Sequence, residues 1–262
     1  MNGDSHRLRA AFGAFSVLPV RAAATAPAGR VVLWLPVVGV VLGALAYLPA
    51  LAVWRGHGHG TPLLAAALVV ATLAVLTRGL HLDGTADLAD GLGSRLPAEQ
   101  ARAVMRAPDV GAFGVVAVCC TLLVQVAALA GVLAGSSRVG GLVAIIVATT
   151  TGRVAVVRAA GRPAAPASAF GALVAGAVGL GARWTVTAGL LGAAALAGAA
   201  GNGPRGSVWS VAACITALLV AELLCRHAAR RLGGVSGDVF GALVEVAGSA
   251  TLIVLAAGVA WR

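Results

Sequence analysis

Long apolar stretches separated by short polar connections run through the whole chain. A helix that crosses a bilayer needs about 20 predominantly apolar residues. Seven stretches approach that length, at roughly 31–54, 62–80, 111–134, 139–158, 184–200, 207–225 and 240–261. The fifth is the least regular, because an apolar stretch at 170–182 precedes it and Arg183 interrupts the pattern. That stretch is compatible with a re-entrant piece, a broken helix or part of a longer tilted helix, so six or eight spans also remain open.

The N-terminal residues show a different pattern from the apolar stretches. Apolar and basic side chains alternate there: Phe12, Phe15 and Leu18 against Arg7, Arg9 and Arg21. This alternation predicts a short amphipathic helix in the membrane interface, not a cleavable signal peptide. The patterns together predict an all-α, polytopic transmembrane helical bundle of about seven spans with an N-terminal interfacial helix. Residues 1–262 are expected to form a single integral membrane domain.

Composition supports a membrane protein and narrows its partners. Hydrophobic residues make up 60% of the chain and charged residues 11%, whereas a soluble domain has about 25% charged residues. The net charge of +10 comes entirely from arginine. No basic stretch is interleaved with aromatic residues, so we expect the lipid bilayer as a partner and no nucleic acid. The four cysteines, Cys119, Cys120, Cys214 and Cys225, are predicted to be reduced and buried.

The arginines divide unequally between the two sides of the seven-span arrangement. Four fall on one side, at Arg55, Arg138, Arg205 and Arg262, and the other fifteen of the 19 fall on the opposite side. Cytoplasmic loops carry the excess of basic residues. The bias therefore predicts a multi-pass protein of the cell membrane, in a bacterium the inner membrane, with a cytoplasmic N-terminus. Most acidic residues fall on this cytoplasmic side as well.

Three aspartates stand out in a chain with only 9 acidic residues. Asp83, Asp87 and Asp90 lie in the segment HLDGTADLADG, residues 81–91, at the spacing i, i+4, i+7. On a helix this spacing places the three carboxylates on one face, where they repel each other. A hard cation such as Mg²⁺ relieves the repulsion, and the group has room for one ion or two. His81 either assists proton transfer or simply lies at the interface.

A second polar segment, GGVSGDVFGALVE, spans residues 233–245. Asp238 and Glu245 are seven residues apart and share a helix face, and Ser236 is placed to cap the last span. The glycines suit close helix packing or the approach of a phosphate. The alternative is a glycine-rich turn in which Asp238 serves as an ordinary cap. Its predicted location on the side of the three aspartates favours a shared site.

Several arginines are candidates for binding a phosphate. Arg106 lies in MRAPDVGAFG, residues 105–114, and Arg153 and Arg158 close the fourth span on the same side. Arginine suits bidentate contact with phosphate. A role in setting the orientation of the helices in the membrane would explain these arginines equally well. Glu222, Arg226 and Arg230 have the spacing of an ion-pair ladder at a helix end.

The segment GLHLDGTADLADGLGS closely resembles the signature of the cobalamin synthase family, the adenosylcobinamide-GDP ribazoletransferases. LPVVGVVLG at 35–43, MRAPDVGAFGVVAV at 105–118 and GGVSGDVFGALVE at 233–245 extend the resemblance over most of the chain. The chain departs from the family pattern at Arg106-Ala107-Pro108-Asp109, at Ser236, where the family usually has threonine, and at Gly248, where a second acid is frequent. A frequent arginine-containing motif is also reduced to AAPASAFG at 164–171.

The resemblance implies an integral membrane enzyme that uses Mg²⁺. It implies joining of adenosylcobinamide-GDP to α-ribazole or its 5′-phosphate, with release of GMP, late in vitamin B12 biosynthesis. Asp83, Asp87 and Asp90 would bind the metal, and these aspartates with His81 would be catalytic. Arg106, Arg153, Arg158, Ser236, Asp238 and Glu245 would bind substrate. The sequence leaves open whether the chain forms a homo-oligomer.

Two other classes of protein are less consistent with the sequence. A membrane phosphotransferase of the CDP-alcohol type has an arginine after DGxxA, whereas here Asp87 follows Ala86 directly. A transporter would place polar groups near the bilayer midplane, whereas the acidic residues here fall at the ends of spans.

The arginine asymmetry predicts that segments 81–109 and 226–240 both face the cytoplasm. Single cysteines introduced into each segment should resist a membrane-impermeant thiol reagent in intact cells and react after the membrane is opened. Labelling of both segments in intact cells would contradict the predicted topology.

Overall fold

In a computed structural model the protein is almost entirely helical. The structure describes residues 3–20, 28–57, 59–166 and 168–260, so Arg21 and Arg262 lie outside the described residues. Eleven helices are present there: α1 (Gly3–Phe15), α2 (Ala28–Val32), α3 (Leu35–Ala50), α4 (Pro62–Leu76), α5 (Leu80–Gly93), α6 (Ala98–Val104), α7 (Ala112–Gly135), α8 (Arg138–Ala159), α9 (Ala169–Val174), α10 (Leu180–Leu232) and α11 (Gly237–Ala260). A short antiparallel hairpin joins α3 to α4, with β1 at Trp54–Gly56 and β2 at His59–Gly60. The predicted all-α fold is confirmed.

Each of the seven predicted spans coincides with helix. By length and composition, four helices in the described part of the chain can cross a membrane: α7, α8, α10 and α11. The bent pair α4 and α5 would make a fifth if it counts as one span. Helix α3 has only 16 residues, which is shorter than the usual span. The fold is therefore that of a multi-pass membrane protein, and the count of seven spans stays a prediction.

Helix α10 is two helices that fold back on each other. Asn202 and Gly203 have non-helical backbone angles, and Gly203 has φ +66°. A Cβ atom added at Gly198 would collide with the carbonyl of Gly206, although eight residues of straight helix rise about 12 Å. The chain therefore reverses between the fifth and sixth predicted stretches. Of the stretch at 170–182, residues 170–174 belong to the short helix α9, residues 175–179 form a loop, and residues 180–182 begin α10.

Loops gather at two opposite ends of the bundle. At one end, the backbone N–H of His57 donates to the Ser136 carbonyl at 2.7 Å, and the Ser137 hydroxyl donates to the Gly201 carbonyl at 3.3 Å. At the other end, Arg102 donates to the Leu232 carbonyl at 2.6 Å. The few arginines assigned to the minority side, where described, belong to elements of the first end. The second end carries α5, α6 and the start of α11.

Helix α8 lies at the centre of the bundle and is buried along most of its length. Glycines let its backbone approach those of its neighbours: a Cβ at Gly39 of α3 would lie 2.8 Å from the Thr150 Cα. Thr149 donates to the Gly39 carbonyl at 2.8 Å, which fixes this crossing. Small residues permit such close packing between membrane helices. The crossing holds α8, and with it Arg153, in the middle of the protein.

The prediction of four buried cysteines was wrong for two of them. Cys214 and Cys225 are buried, but Cys119 and Cys120 are exposed on α7, and all four are free thiols. The same face of α7 exposes Val115, Val116 and Leu123. Such an apolar face is expected to contact lipid in a membrane helix, so hydropathy alone could not separate lipid-facing from core positions.

Candidate functional site

A sharp turn after α4 places the aspartate-bearing helix at the end of the bundle. Arg78 and Gly79 both have positive φ angles, 57° and 67°, and α5 starts at an angle of 88° to α4. Glycine adopts this backbone conformation without steric cost. Helix α5 buries Ala86 and Leu88 and leaves Asp83 exposed. It therefore lies across this end rather than continuing α4.

The start of α11 touches α5 backbone to backbone. A Cβ atom at Gly84 would lie 2.8 Å from the Asp238 carbonyl oxygen and 2.9 Å from its Cα. One turn along each helix, a Cβ at Gly241 would lie 3.2 Å from the His81 carbonyl oxygen. The structure thus brings together the two polar segments that the sequence assigned to one side of the membrane.

The carboxylates at this contact influence one another. Burial, followed by the charges of Asp83, Asp238 and Asp90, raises the pKa of the half-buried Asp87 to about 6. A carboxylate surrounded by like charges favours its neutral form unless a cation is near. Ser236 donates to Asp238 at 3.2 Å and accepts a bond from the Val239 N–H at 3.4 Å. The expected cap of the last helix is present, and it also orients Asp238.

Asp90 has different surroundings from the other two aspartates of α5. It is buried, and its two oxygens accept bonds from the N–H groups of Gly111 at 2.7 Å and Gly114 at 2.9 Å. Gly111 is the residue before the first turn of α7. A carboxylate at a helix N-terminus satisfies unpaired N–H groups and complements the helix dipole. Asp90 therefore fixes the start of α7, and its predicted role as a metal ligand stays a prediction.

A buried polar layer lies beneath the aspartates. The Nδ1 atom of His81 is 3.9 Å from Glu245 Oε1, which is longer than a hydrogen bond, and Gln125 donates to Glu245 at 2.7 Å. Arg153 is only 3% exposed; it donates to the Thr149 carbonyl at 2.8 Å, and its Nε has no partner in the described part of the structure. Sequence reasoning missed Gln125, although a lone amide inside an apolar span is a recognisable signal.

The arginines separate into different environments. Arg106 lines a groove together with Ser236 and Asp238, so it lies near the acidic residue of α11. Arg158 instead turns toward α10, where it donates to Thr187 at 3.2 Å and its guanidinium lies 5.1 Å from the centre of the Trp184 ring. The structure does not bring Arg158 to the carboxylates.

Glu222 forms part of the predicted ion-pair ladder. It pairs with Arg226 at 2.7 Å, one turn along α10, which confirms that step. Its second partner is Arg162, from the loop after α8, which the predicted ladder of Glu222, Arg226 and Arg230 did not include. Sequence spacing identifies neighbours on one helix but not a partner from another part of the chain.

The carboxylates at the contact suit a hard cation whose coordination is completed by water and a bound substrate. Among the described residues, no group of three or more histidine, cysteine, aspartate or glutamate side chains is arranged to hold a metal by itself. Mg²⁺ is commonly bound by one or two carboxylates together with water and substrate phosphates. The all-oxygen set of Asp83, Asp87 and Asp238 suits that mode of binding.

Comparison with known proteins identifies a family and several relatives. The family model of cobalamin-5-phosphate synthase matches residues 7–256. A protein of Corynebacterium efficiens is 40% identical over 251 residues, 94% of this chain and 89% of the relative. One of Frankia casuarinae is 37% identical over 262 residues, 95% and 93% of the two chains, and one of Pseudomonas aeruginosa is 35% identical over 257 residues, 91% and 93%. All three are named adenosylcobinamide-GDP ribazoletransferase, and no solved structure matches the chain.

Replacing single aspartates should distinguish Asp90, which caps the start of α7, from the exposed Asp83, which does not cap that helix. Asp90→Asn leaves one acceptor oxygen for two N–H donors, so the free energy of unfolding should fall by about 1–3 kcal/mol. Asp83→Asn, at an exposed position, should change it by less than about 0.5 kcal/mol. Denaturant or thermal unfolding of the purified proteins in detergent measures both. Equal stability of the two variants would contradict the capping role of Asp90.

Proposed function

Because the chain belongs to the cobalamin-5-phosphate synthase family, we propose that it is an adenosylcobinamide-GDP ribazoletransferase. It joins adenosylcobinamide-GDP to α-ribazole or its 5′-phosphate and releases GMP. The site lies at the end of the bundle formed by α5, α6 and the start of α11, and this end faces the cytoplasm, where the arginine bias places it.

The observation that supports the proposal most strongly is the meeting of two distant acidic segments. Asp83 and Asp87 arrive on α5 and Asp238 arrives on α11, and the backbones of these helices touch at Gly84. Arg106 lies in the adjoining groove. A phosphoryl-type transfer requires positioning of the substrates and stabilisation of negative charge. Carboxylates that hold a cation and an arginine that contacts phosphate can supply both.

The aspartates that face one another are the proposed metal ligands. Asp83, Asp87 and Asp238 would hold Mg²⁺ jointly with the diphosphate of the substrate. Bound there, the ion supplies charge neutralisation to the diphosphate. Asp90 supports the site by holding α7 against α5, and Ser236 keeps Asp238 in place. Arg158 is left out of the proposed site because its guanidinium is engaged by α10.

The transfer exchanges one phosphorus–oxygen bond for another. A ribose hydroxyl of α-ribazole attacks the phosphorus that carries cobinamide, and the bond from that phosphorus to the bridging oxygen breaks, so that GMP leaves with the electron pair. The proton of the hydroxyl passes to an aspartate or to His81. Arg106 offsets the negative charge of the diphosphate. Glu245, which accepts a hydrogen bond from Gln125, lies 3.9 Å from the Nδ1 atom of His81.

Purified protein supplied with adenosylcobinamide-GDP, α-ribazole and Mg²⁺ should release GMP, which chromatography detects. Asp83→Asn and Asp238→Asn should each lower turnover by about a hundredfold or more, because each removes charge stabilisation from the reacting group. Removal of the divalent cation with a chelator should abolish GMP release, and Mg²⁺ should restore it.

Glu222→Gln is the matched control for the acidic variants. Glu222 lies at the same end of the protein, but its carboxylate is engaged by Arg162 and Arg226. Its replacement should cost far less turnover than the replacement of Asp238. Absence of GMP from the wild-type reaction would refute the proposed activity, and equal losses in the Glu222 and Asp238 variants would refute the proposed site.

A further inference from the structure

A cavity of about 300 Å³ opens beside the aspartates. It lies between α1, α3, α5, α8, α9 and α11, and most of its wall is apolar. Asp83 and Asp238 line it, as do His81 and Arg153. An apolar chamber with a few converging polar groups is the usual form of a site for a small organic ligand.

Three phenylalanines from distant parts of the chain form one wall of this cavity. The ring centroids of Phe15 and Phe170 are 5.7 Å apart, and those of Phe170 and Phe240 are 6.0 Å apart. Both pairs meet edge to face, with interplanar angles of 74° and 81°. Edge-to-face rings attract each other and a flat aromatic ligand in the same way. This wall therefore offers contacts to a planar ring that an aliphatic wall does not.

The volume of the cavity discriminates between the two substrates of the proposed reaction. A volume of about 300 Å³ is at the lower end of the range for sites of small ligands. A flat base on a ribose is of that size. A corrinoid macrocycle with its peripheral side chains is several times larger and has to remain outside.

A second, smaller recess of about 60 Å³ shares Asp238 with this cavity. Arg102, Arg106, Ser168 and Ser236 also line the recess. Arginine side chains suit contact with phosphate oxygens. The apolar cavity and the basic recess therefore meet at one carboxylate, and their linings suit different chemical groups.

We propose that the phenylalanine-lined cavity binds the base of α-ribazole, while the arginines of the basic recess contact the diphosphate of the other substrate. This assignment rests on the proposed function, because it divides the two substrates of that reaction between two compartments. The ribose of α-ribazole then lies near Asp83 and Asp238, where its hydroxyl meets the phosphorus.

A side chain added at Gly237 tests the assignment. A Cβ there would lie 3.8 Å from Phe170, in ordinary contact, so Gly237→Leu adds volume toward the aromatic wall without colliding with backbone at its first atom. We expect the KM for α-ribazole to rise about tenfold or more, which corresponds to about 1.4 kcal/mol of lost binding. The KM for adenosylcobinamide-GDP should change less than about threefold.

Two further variants keep the test decisive. Gly181→Leu is the matched control, since Gly181 lies in the first turn of α10 and a Cβ there meets nothing within 4 Å; both KM values should stay at wild-type levels. Phe170→Leu keeps an apolar side chain but removes the ring, and should weaken α-ribazole binding about two- to tenfold. It also serves if Gly237→Leu does not fold, as judged by size-exclusion chromatography and thermal unfolding.

Calorimetric titration of the full-length protein with α-ribazole separates this inference from the proposed function. Binding of α-ribazole that weakens in Gly237→Leu and Phe170→Leu but not in Gly181→Leu supports the cavity, even if the wild-type protein releases no GMP. Unchanged binding in both cavity variants, or an equal rise in both KM values, would overturn it while leaving a measured wild-type activity intact.

Discussion

The contact between the backbones of α5 and α11 at Gly84 determines the rest of the site. A side chain at this position would meet the Asp238 carbonyl and Cα within 3 Å, so only glycine permits the approach. The contact places carboxylates from two distant segments next to one another, although their charges repel. Packing of apolar surface elsewhere in the bundle has to offset that repulsion. The electrostatic repulsion is smallest when a cation, alone or with a bound phosphate, lies between the carboxylates. In the proposed function, this favours binding of the metal together with the substrate diphosphate.

Beneath the aspartates, the polar layer of Arg153, Glu245, Gln125 and His81 is expensive to keep within an apolar bundle. A buried charge is tolerated when hydrogen bonds and opposite charges surround it. Glu245 receives a bond from Gln125, and Arg153 donates to a backbone carbonyl of its own helix. Because His81 and Arg153 line the cavity, the layer supplies part of the polar surface of that cavity. Ionisable residues at such depth are commonly functional.

Much of the fold could be predicted from hydropathy, because each long apolar stretch can satisfy its backbone only as a helix. The arginine bias predicted that Asp83 and Asp238 lie on one side of the membrane, and the structure brings their backbones together. The partners of Asp90 and Arg158, and the pairing of Glu222 with Arg162, could not be predicted in this way. Each of these contacts joins two different elements, and a periodic pattern specifies the face of a residue but not which element packs against that face. The exposure of Cys119 and Cys120 escaped prediction for a related reason, since lipid and protein core select the same residues.

In the proposed function, the Gly84 contact assembles a cation site from two segments. Gly84→Ala leaves every carboxylate unchanged but adds a methyl group whose carbon would lie 2.8 Å from the Asp238 carbonyl oxygen. Electron paramagnetic resonance titration with Mn²⁺, a substitute for Mg²⁺, measures cation binding directly in the presence of GDP. Folded Gly84→Ala should bind Mn²⁺ about tenfold more weakly or worse, whereas Gly189→Ala, in open space on α10, should bind it as the wild type does. Wild-type Mn²⁺ affinity in folded Gly84→Ala would show that the contact does not assemble the cation site.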